Sequence, residues 1–109
     1  MSVNIRIELD VSGLSSREQA EETRRAVQQV INDEGIQHEV AVSTRERDEK
    51  FVVLGRTGAF PVVVSGVSRW QPEFRARVEA AVGRVSSTAK VWLFCADVDL
   101  ERALEAGTL

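Results

Sequence analysis

Apolar and polar residues alternate over the first ten positions of the chain. One parity holds Val3, Ile5, Ile7 and Leu9, and polar or charged residues stand between them. A period of two is typical of a β-strand with one face in a core and the other in water. The pattern therefore predicts a first strand whose polar outer face includes Arg6.

Two longer stretches have the spacing of amphipathic helices. The first starts after Ser15 or Ser16, each followed three residues later by Glu or Gln as in a capping box, and Gly35 ends it. The second has Pro72 in its first turn, and Trp70 is expected to pack against its start. The inward-facing positions of the two helices are Ala20, Thr23, Val27, Val30 and Ile31, and Phe74, Val78, Ala81, Val82 and Val85.

The middle of the chain gives shorter strand signals. Residues 36–42 alternate, with His38 on the apolar parity, and the charged residues 44–50 are expected to form a loop. An apolar segment at 51–54 ends in a glycine-containing hairpin turn at 55–58. The segment is either an independent strand or an extension of its neighbour.

Two further strands are predicted at residues 60–64 and 90–97. Both parities of 90–97 are apolar, so both of its faces should be covered. Residues 99–106 have the pattern of a short helix capped by Asp99, which would supply part of that cover.

A short sequence occurs twice, as VSGLS at residues 11–15 and as VSGVS at 64–68, each time between a strand and a helix. The glycine permits a left-handed backbone, and the serines can cap the helix that follows. Helix N-termini also attract anions, so the two turns form a candidate site for phosphate or carboxylate. Its residues are Gly13, Ser15, Ser16, Arg17, Gly66, Ser68 and Arg69. The alternative is that the serines only cap helices, and the turns meet only if 51–54 is a separate strand.

This succession of elements resembles the ferredoxin-like βαββαβ sandwich, over about residues 3–97. The resemblance implies an α+β, two-layer domain with a four- to five-stranded sheet, two helices on one face and a short C-terminal helix. The 109 residues suffice for a single domain, 1–109, with one core.

Composition narrows the class of protein. Hydrophobic residues make up 43% and charged residues 28%, as in globular proteins, and a net charge of −3 argues against a nucleic-acid binder. No apolar run reaches membrane-spanning length, and no secretory leader is evident, which favours a cytoplasmic location. The single cysteine, Cys95, excludes an internal disulfide.

The sheet face opposite the helices is the candidate binding surface. Trp92, Phe94 and Val63 share the parity that points away from the helices, and Arg6 is expected to stack on Trp92 if the two strands are neighbours. An uncovered patch of this kind marks a protein interface or a ligand groove. The alternative is that the C-terminal segment covers it.

Catalytic chemistry is not predicted. His38 is the sole histidine, Cys95 is expected to pack in the core, and Asp97, Asp99 and Glu101 stand at a strand end where alternate positions face different sides. No catalytic residue, metal ligand or cofactor is therefore assigned.

The leading hypothesis is a non-enzymatic protein-binding module whose partner is another protein, either a different chain or a second copy. Small acidic α+β domains of this kind resemble bacterial immunity or antitoxin proteins that occlude a basic toxin, in size, charge and architecture. One alternative is a homodimeric regulatory domain, similar to amino-acid-sensing ferredoxin-like modules, that binds a small anion at the Ser-Gly turns. Another is a cofactor-free enzyme of the dimeric α/β-barrel type.

Overall fold

The structure, a computed structural model, describes residues 2–107 and contains five strands and three helices within that range. The strands are β1 (Ser2–Leu14), β2 (Val40–Arg47), β3 (Lys50–Thr57), β4 (Val62–Ser65) and β5 (Lys90–Asp97). The helices are α1 (Arg17–Asp33), α2 (Val67–Val85) and α3 (Val98–Glu105).

The long strand β1 organises an antiparallel sheet. Along one edge it pairs with β5, from Ile5 opposite Asp97 to Ser12 opposite Lys90. Along its other edge it pairs with β3 and then with β4, which run in the same direction and so form one interrupted strand. The resulting order, β2, then β3 with β4, then β1, then β5, is that of the ferredoxin-like sandwich. The predicted fold class is confirmed.

The side chain of Thr57 continues the hydrogen bonds of the sheet at the point where β3 stops pairing with β1. The amide of Ile7 donates to Thr57 Oγ1 at 2.7 Å, and the same hydroxyl donates to the Ile7 carbonyl at 3.4 Å. Ile7 is buried, so both of its backbone groups need a partner inside the protein. Thr57 therefore lets the strand break at residues 58–61 without leaving unpaired polar groups.

We expect Thr57→Val to lower the free energy of unfolding by about 1–3 kcal/mol, because the Ile7 backbone loses its hydrogen-bond partner. Thr57→Ser is the matched control, since it keeps the hydroxyl and removes one methyl group, at a cost on the order of 0.8 kcal/mol. Urea unfolding of both variants measures the difference. Equal losses in the two variants would contradict the role given to the hydroxyl.

The core lies between one sheet face and two helices. Ile5, Ile7, Leu9 and Val11 are at most 1% exposed and pack against buried residues of α1 and α2. The intervening residues of β1 point to the opposite side of the sheet. The prediction of two helices on one face is confirmed.

The hairpin between β2 and β3 lies elsewhere than predicted. Asp48 and Glu49 both have positive φ, 52° and 64°, and form a tight turn, so the expected loop at 44–50 is mostly strand. Positive φ at both central residues matches the type I′ geometry that suits twisted strands. Segment 51–54 belongs to β3, which continues through the expected turn at Gly55 and Arg56.

The other local differences concern element ends. Residues 36–39 form a turn instead of a strand, because Ile36 N–H bonds the Ile31 carbonyl at 3.2 Å and closes the end of α1. His38 is consequently exposed instead of facing the core. Helix α2 begins at Val67, so Pro72 lies inside the helix instead of in its first turn.

Candidate functional site

The open face is the side of the sheet opposite α1 and α2. Its centre is a row of polar side chains from β1, namely Asn4, Arg6, Glu8 and Asp10, all of them half-buried. Neighbouring strands place apolar side chains beside this row. The face therefore combines a charged middle with apolar flanks.

Two aromatic side chains of β5, Trp92 and Phe94, form what we call the aromatic patch. Trp92 lies opposite Asp10 and Phe94 lies opposite Glu8, so both point to the open face. The rings stack with centroids 6.1 Å apart and planes 16° apart. Trp92 is 53% exposed and Phe94 is 44% exposed. A large part of each ring is thus available for contact.

Arg6 connects the aromatic patch to α3. Its guanidinium carbon lies 5.9 Å from the centre of the Phe94 ring, and its Nη2 donates to Glu101 Oε2 at 3.1 Å. The hydrogen bond to Glu101 raises the pKa of Arg6 above its ordinary value, against the opposing effect of desolvation. The expected stacking partner was Trp92. Arg6 instead contacts Phe94 because the register sets Arg6 opposite Ala96, two residues from Phe94 and four from Trp92.

Helix α3 covers only one end of the open face. Asp97, not Asp99 as predicted, caps the helix by accepting from the Leu100 amide at 3.0 Å. Asp99 instead accepts from Asn4 Nδ2 at 3.1 Å, and Glu101 binds Arg6, so two polar contacts tie α3 to β1. The aromatic patch stays about half exposed in the presence of α3.

Two apolar residues of α3 are themselves exposed. Leu100 and Leu104 are four residues apart and lie on one face of the helix, which we call the leucine stripe. Their exposed fractions are 49% and 59%, and no residue of α3 is buried. The sequence interpretation expected this helix to supply part of the cover of the sheet. The i, i+4 spacing of the two leucines indicates an apolar stripe, but spacing alone does not say which surface the stripe faces.

Val63 is on the predicted face but apart from the aromatic patch. It lies on β4 opposite Asn4 and is 66% exposed. The polar side chains of β1 separate it from Phe94, which lies on the far side of that strand. The apolar surface of the open face is therefore not one continuous patch.

The two Ser-Gly turns lie at opposite ends of β1. Ser65, just before Gly66, pairs with Ser2 at the start of β1, whereas Gly13 is close to its end. At about 3.3 Å per residue the separation is roughly 35 Å. The turns do not meet in one site, because β3 and β4 form a single interrupted strand.

In the first turn, the polar groups of the serines bond to other groups of the protein. Gly13 has φ of +77° at a bulge in β1. Ser16 caps α1 by accepting from the Gln19 amide at 3.1 Å, and the Ser15 amide donates to Gln19 Oε1 at 2.7 Å. Arg17 lies over Phe51, with its guanidinium carbon 5.8 Å from the ring centre. The predicted capping role of Ser16 is confirmed.

The second turn is built differently. Gly66, with φ of 63°, is itself the N-cap of α2, and no side chain caps that helix. Ser68 lies within the first turn of the helix, and Arg69 forms an ion pair with Glu73 at 3.8 Å. Anion binding at either turn alone stays a prediction.

Trp70 joins the two long helices. Its ring stacks on Phe74 with centroids 4.8 Å apart and planes 9° apart, and its Nε1 donates to Glu34 Oε2 at 3.1 Å. Arg77 also donates to Glu34, at the end of α1. Trp70 was expected to pack against the start of α2; it is instead part of that helix and packs on Phe74 one turn later, and its bond to α1 was not predicted.

Within residues 2–107, the pKa values of two ionisable groups outside the open face depart from their ordinary values. Cys95 is half-buried beside the core, and burial raises the pKa of its thiol. Hydrogen bonds from Arg24 and Thr44 lower the pKa of Glu21. In the same range no group of three His, Cys, Asp or Glu side chains is arranged to hold a metal ion. None of the helices described there has the length and apolarity needed to cross a membrane.

Comparison with known proteins gives a likeness of fold. The chain is similar to the de novo designed protein Foldit4, with a TM-score of 0.56 and 14% identity over 88% of this chain and 97% of that one. It is also similar to a conserved protein of unknown function from Bacteroides thetaiotaomicron VPI-5482, described as a possible oxidoreductase, with a TM-score of 0.49 and 15% identity over 87% of this chain and 97% of that one. No protein family model and no curated protein matches the chain. The likeness to immunity and antitoxin proteins stays a prediction.

Proposed function

We propose that this protein is a protein-binding module whose contact surface is the open face of the sheet around the aromatic patch. The observation that carries the proposal is the exposure of Trp92 and Phe94 on a face that α3 covers at one end only. Exposed aromatic side chains on an otherwise ordered surface are typical of binding sites, since they contribute much contact area at a low cost in conformational entropy.

The surroundings of the patch support the same function. Arg6 lies over the ring of Phe94 and is itself held by Glu101. Trp92 and Phe94 hold each other by stacking. Preordered side chains lose little freedom when a partner binds, which favours affinity. Tryptophan and arginine are also the residue types that most often dominate binding energy at interfaces.

Site-specific photo-crosslinking in cells that produce the full chain tests the proposal. A photoreactive phenylalanine analogue replaces Trp92 in one variant and Arg25, an exposed residue of α1, in the control. We expect protein adducts of defined mass at position 92 and none at position 25. Absence of any adduct at 92, of this chain or of another, would overturn the proposed function.

A further inference from the structure

We propose that the open face binds a second copy of this chain, with the leucine stripe of each α3 packed on the aromatic patch of the other copy. The inference rests on the proposed function and identifies the partner. A two-fold axis between the copies would make the contact reciprocal, as in most small homodimers.

The first argument is that the chain carries two unpartnered apolar features on adjoining parts of one surface. Leu100 and Leu104 are exposed on α3, and Trp92 and Phe94 are exposed on β5. Arg6 contacts both elements, so the two features are neighbours. An apolar helix stripe and an apolar sheet face are complementary layers of a protein core. Within one chain the contacts of α3 with the sheet leave Leu100 and Leu104 exposed, so a second copy supplies the missing layer for each feature.

The second argument is charge. Arg6 pairs with Glu8 and with Glu101, and Arg47 pairs with Asp10 at 3.6 Å, all on the open face. Three carboxylates of this face, Glu8, Asp10 and Glu101, are therefore already paired with an arginine, whereas Asp99 accepts from the neutral amide of Asn4. The face carries charges of both signs side by side, although the whole chain has a net charge of −3. A surface with both signs of charge is compatible with its own copy.

The third argument concerns which part of β5 is open to contact. Arg75 Nη2, from α2, donates to the Leu93 carbonyl at 2.7 Å and so occupies a backbone acceptor of β5. Among residues 2–107, β5 pairs with β1 alone, so this guanidinium stands where an added strand would bond. Natural proteins protect sheet edges in this way against edge-to-edge association. The geometry favours contact through the face instead of through the edge.

The exposed area indicates a weak dimer. Two half-exposed aromatic side chains offer on the order of 200 Å² of apolar surface per chain. The leucine stripe offers a comparable area, so reciprocal contact buries roughly 800 Å² in total before any polar rim is added, which is below the range of stable complexes and within that of weak, transient ones. We therefore expect a dissociation constant on the order of micromolar.

Sedimentation of the purified full chain over a range of concentrations tests the inference. We expect a monomer–dimer equilibrium for the natural sequence. Both the double variant W92A/F94A and the double variant L100A/L104A should weaken it by about tenfold to 100-fold. Arg25→Ala, on α1, is the control and should leave the equilibrium unchanged. All five substituted side chains are exposed, so we expect the fold to be retained, as circular dichroism would verify.

Mixing the two double variants tests the reciprocal geometry. In the mixed dimer the intact leucine stripe of one variant meets the intact aromatic patch of the other, whereas each variant alone has two damaged contacts. We expect the mixed dimer to form more tightly than either variant's own dimer, as measured by native mass spectrometry. Equal stability of all three species would overturn the proposed pairing of stripe with patch.

A purified chain that remains monomeric at millimolar concentration would overturn the second copy as the partner. If crosslinks at position 92 then join a different protein, the proposed function stands without the dimer. If crosslinks are absent as well, both proposals fail.

Discussion

Phe74→Ala should lower the free energy of unfolding by about 3–5 kcal/mol, the range measured for truncation of fully buried aromatic side chains. Phe74 is 0% exposed and is the largest side chain in the buried core. The substitution removes apolar contacts and leaves a cavity between α2 and the sheet, which relaxes only in part. Because a domain of this size is stable by about 5–15 kcal/mol, the variant would retain only part of its stability.

The expected loss at Phe74 also has a spectroscopic consequence. Trp70 stacks on Phe74 at 4.8 Å, so removal of the ring opens one face of the indole. We expect the Trp70 emission to change in the folded variant, in addition to the earlier unfolding transition in urea. Phe60→Ala is the matched control, since Phe60 is 77% exposed, and it should change stability by no more than about 0.5 kcal/mol. If Phe74→Ala lost no more free energy of unfolding than Phe60→Ala, the place of Phe74 in the core would be contradicted.

The sequence predicts correctly those elements whose hydrophobic pattern repeats over many residues. Strand β1 and helices α1 and α2 each repeat their pattern over many residues, and β5 was placed at its observed bounds. The β2–β3 hairpin was missed because its turn, Asp48–Glu49, contains no glycine and lies inside a charged run. Positive φ at two acidic residues is imposed by the pairing of the flanking strands, and local composition gives no sign of it.

Part of the candidate site was predictable from the alternation of residues along a strand. The parity of β5 places Trp92 and Phe94 on the face away from the helices, and the structure has them there. The orientation of α3 was not predictable, because it depends on the contacts Asn4 with Asp99 and Arg6 with Glu101. Each contact joins residues 95 positions apart in the chain. A helical pattern indicates which residues share a face but not which partner that face meets.

The repeated turn offers a test in which local sequence is held nearly constant. Gly13 and Gly66 both stand in Val-Ser-Gly, and both have positive φ, +77° and +63°. Alanine in the left-handed conformation costs roughly 1–2 kcal/mol at either position. The surroundings differ, because a Cβ at Gly13 would lie 2.7 Å from the backbone carbonyl oxygen of Thr88, whereas a Cβ at Gly66 would meet nothing within 4 Å.

We therefore expect Gly13→Ala to be the more damaging of the two substitutions. The contact with Thr88 involves backbone, and the Thr88 hydroxyl also donates to the Gly13 carbonyl at 3.3 Å, so neither segment moves freely. Crowding of this kind adds about 1–3 kcal/mol, which brings the expected loss for Gly13→Ala to about 2–5 kcal/mol. Gly66→Ala should lose only the roughly 1–2 kcal/mol that its backbone conformation costs. Urea unfolding of the two variants under the same conditions measures the difference directly. Equal losses would mean that the approach of β1 to the segment before β5 does not require a glycine, and that the repeat reflects turn geometry alone.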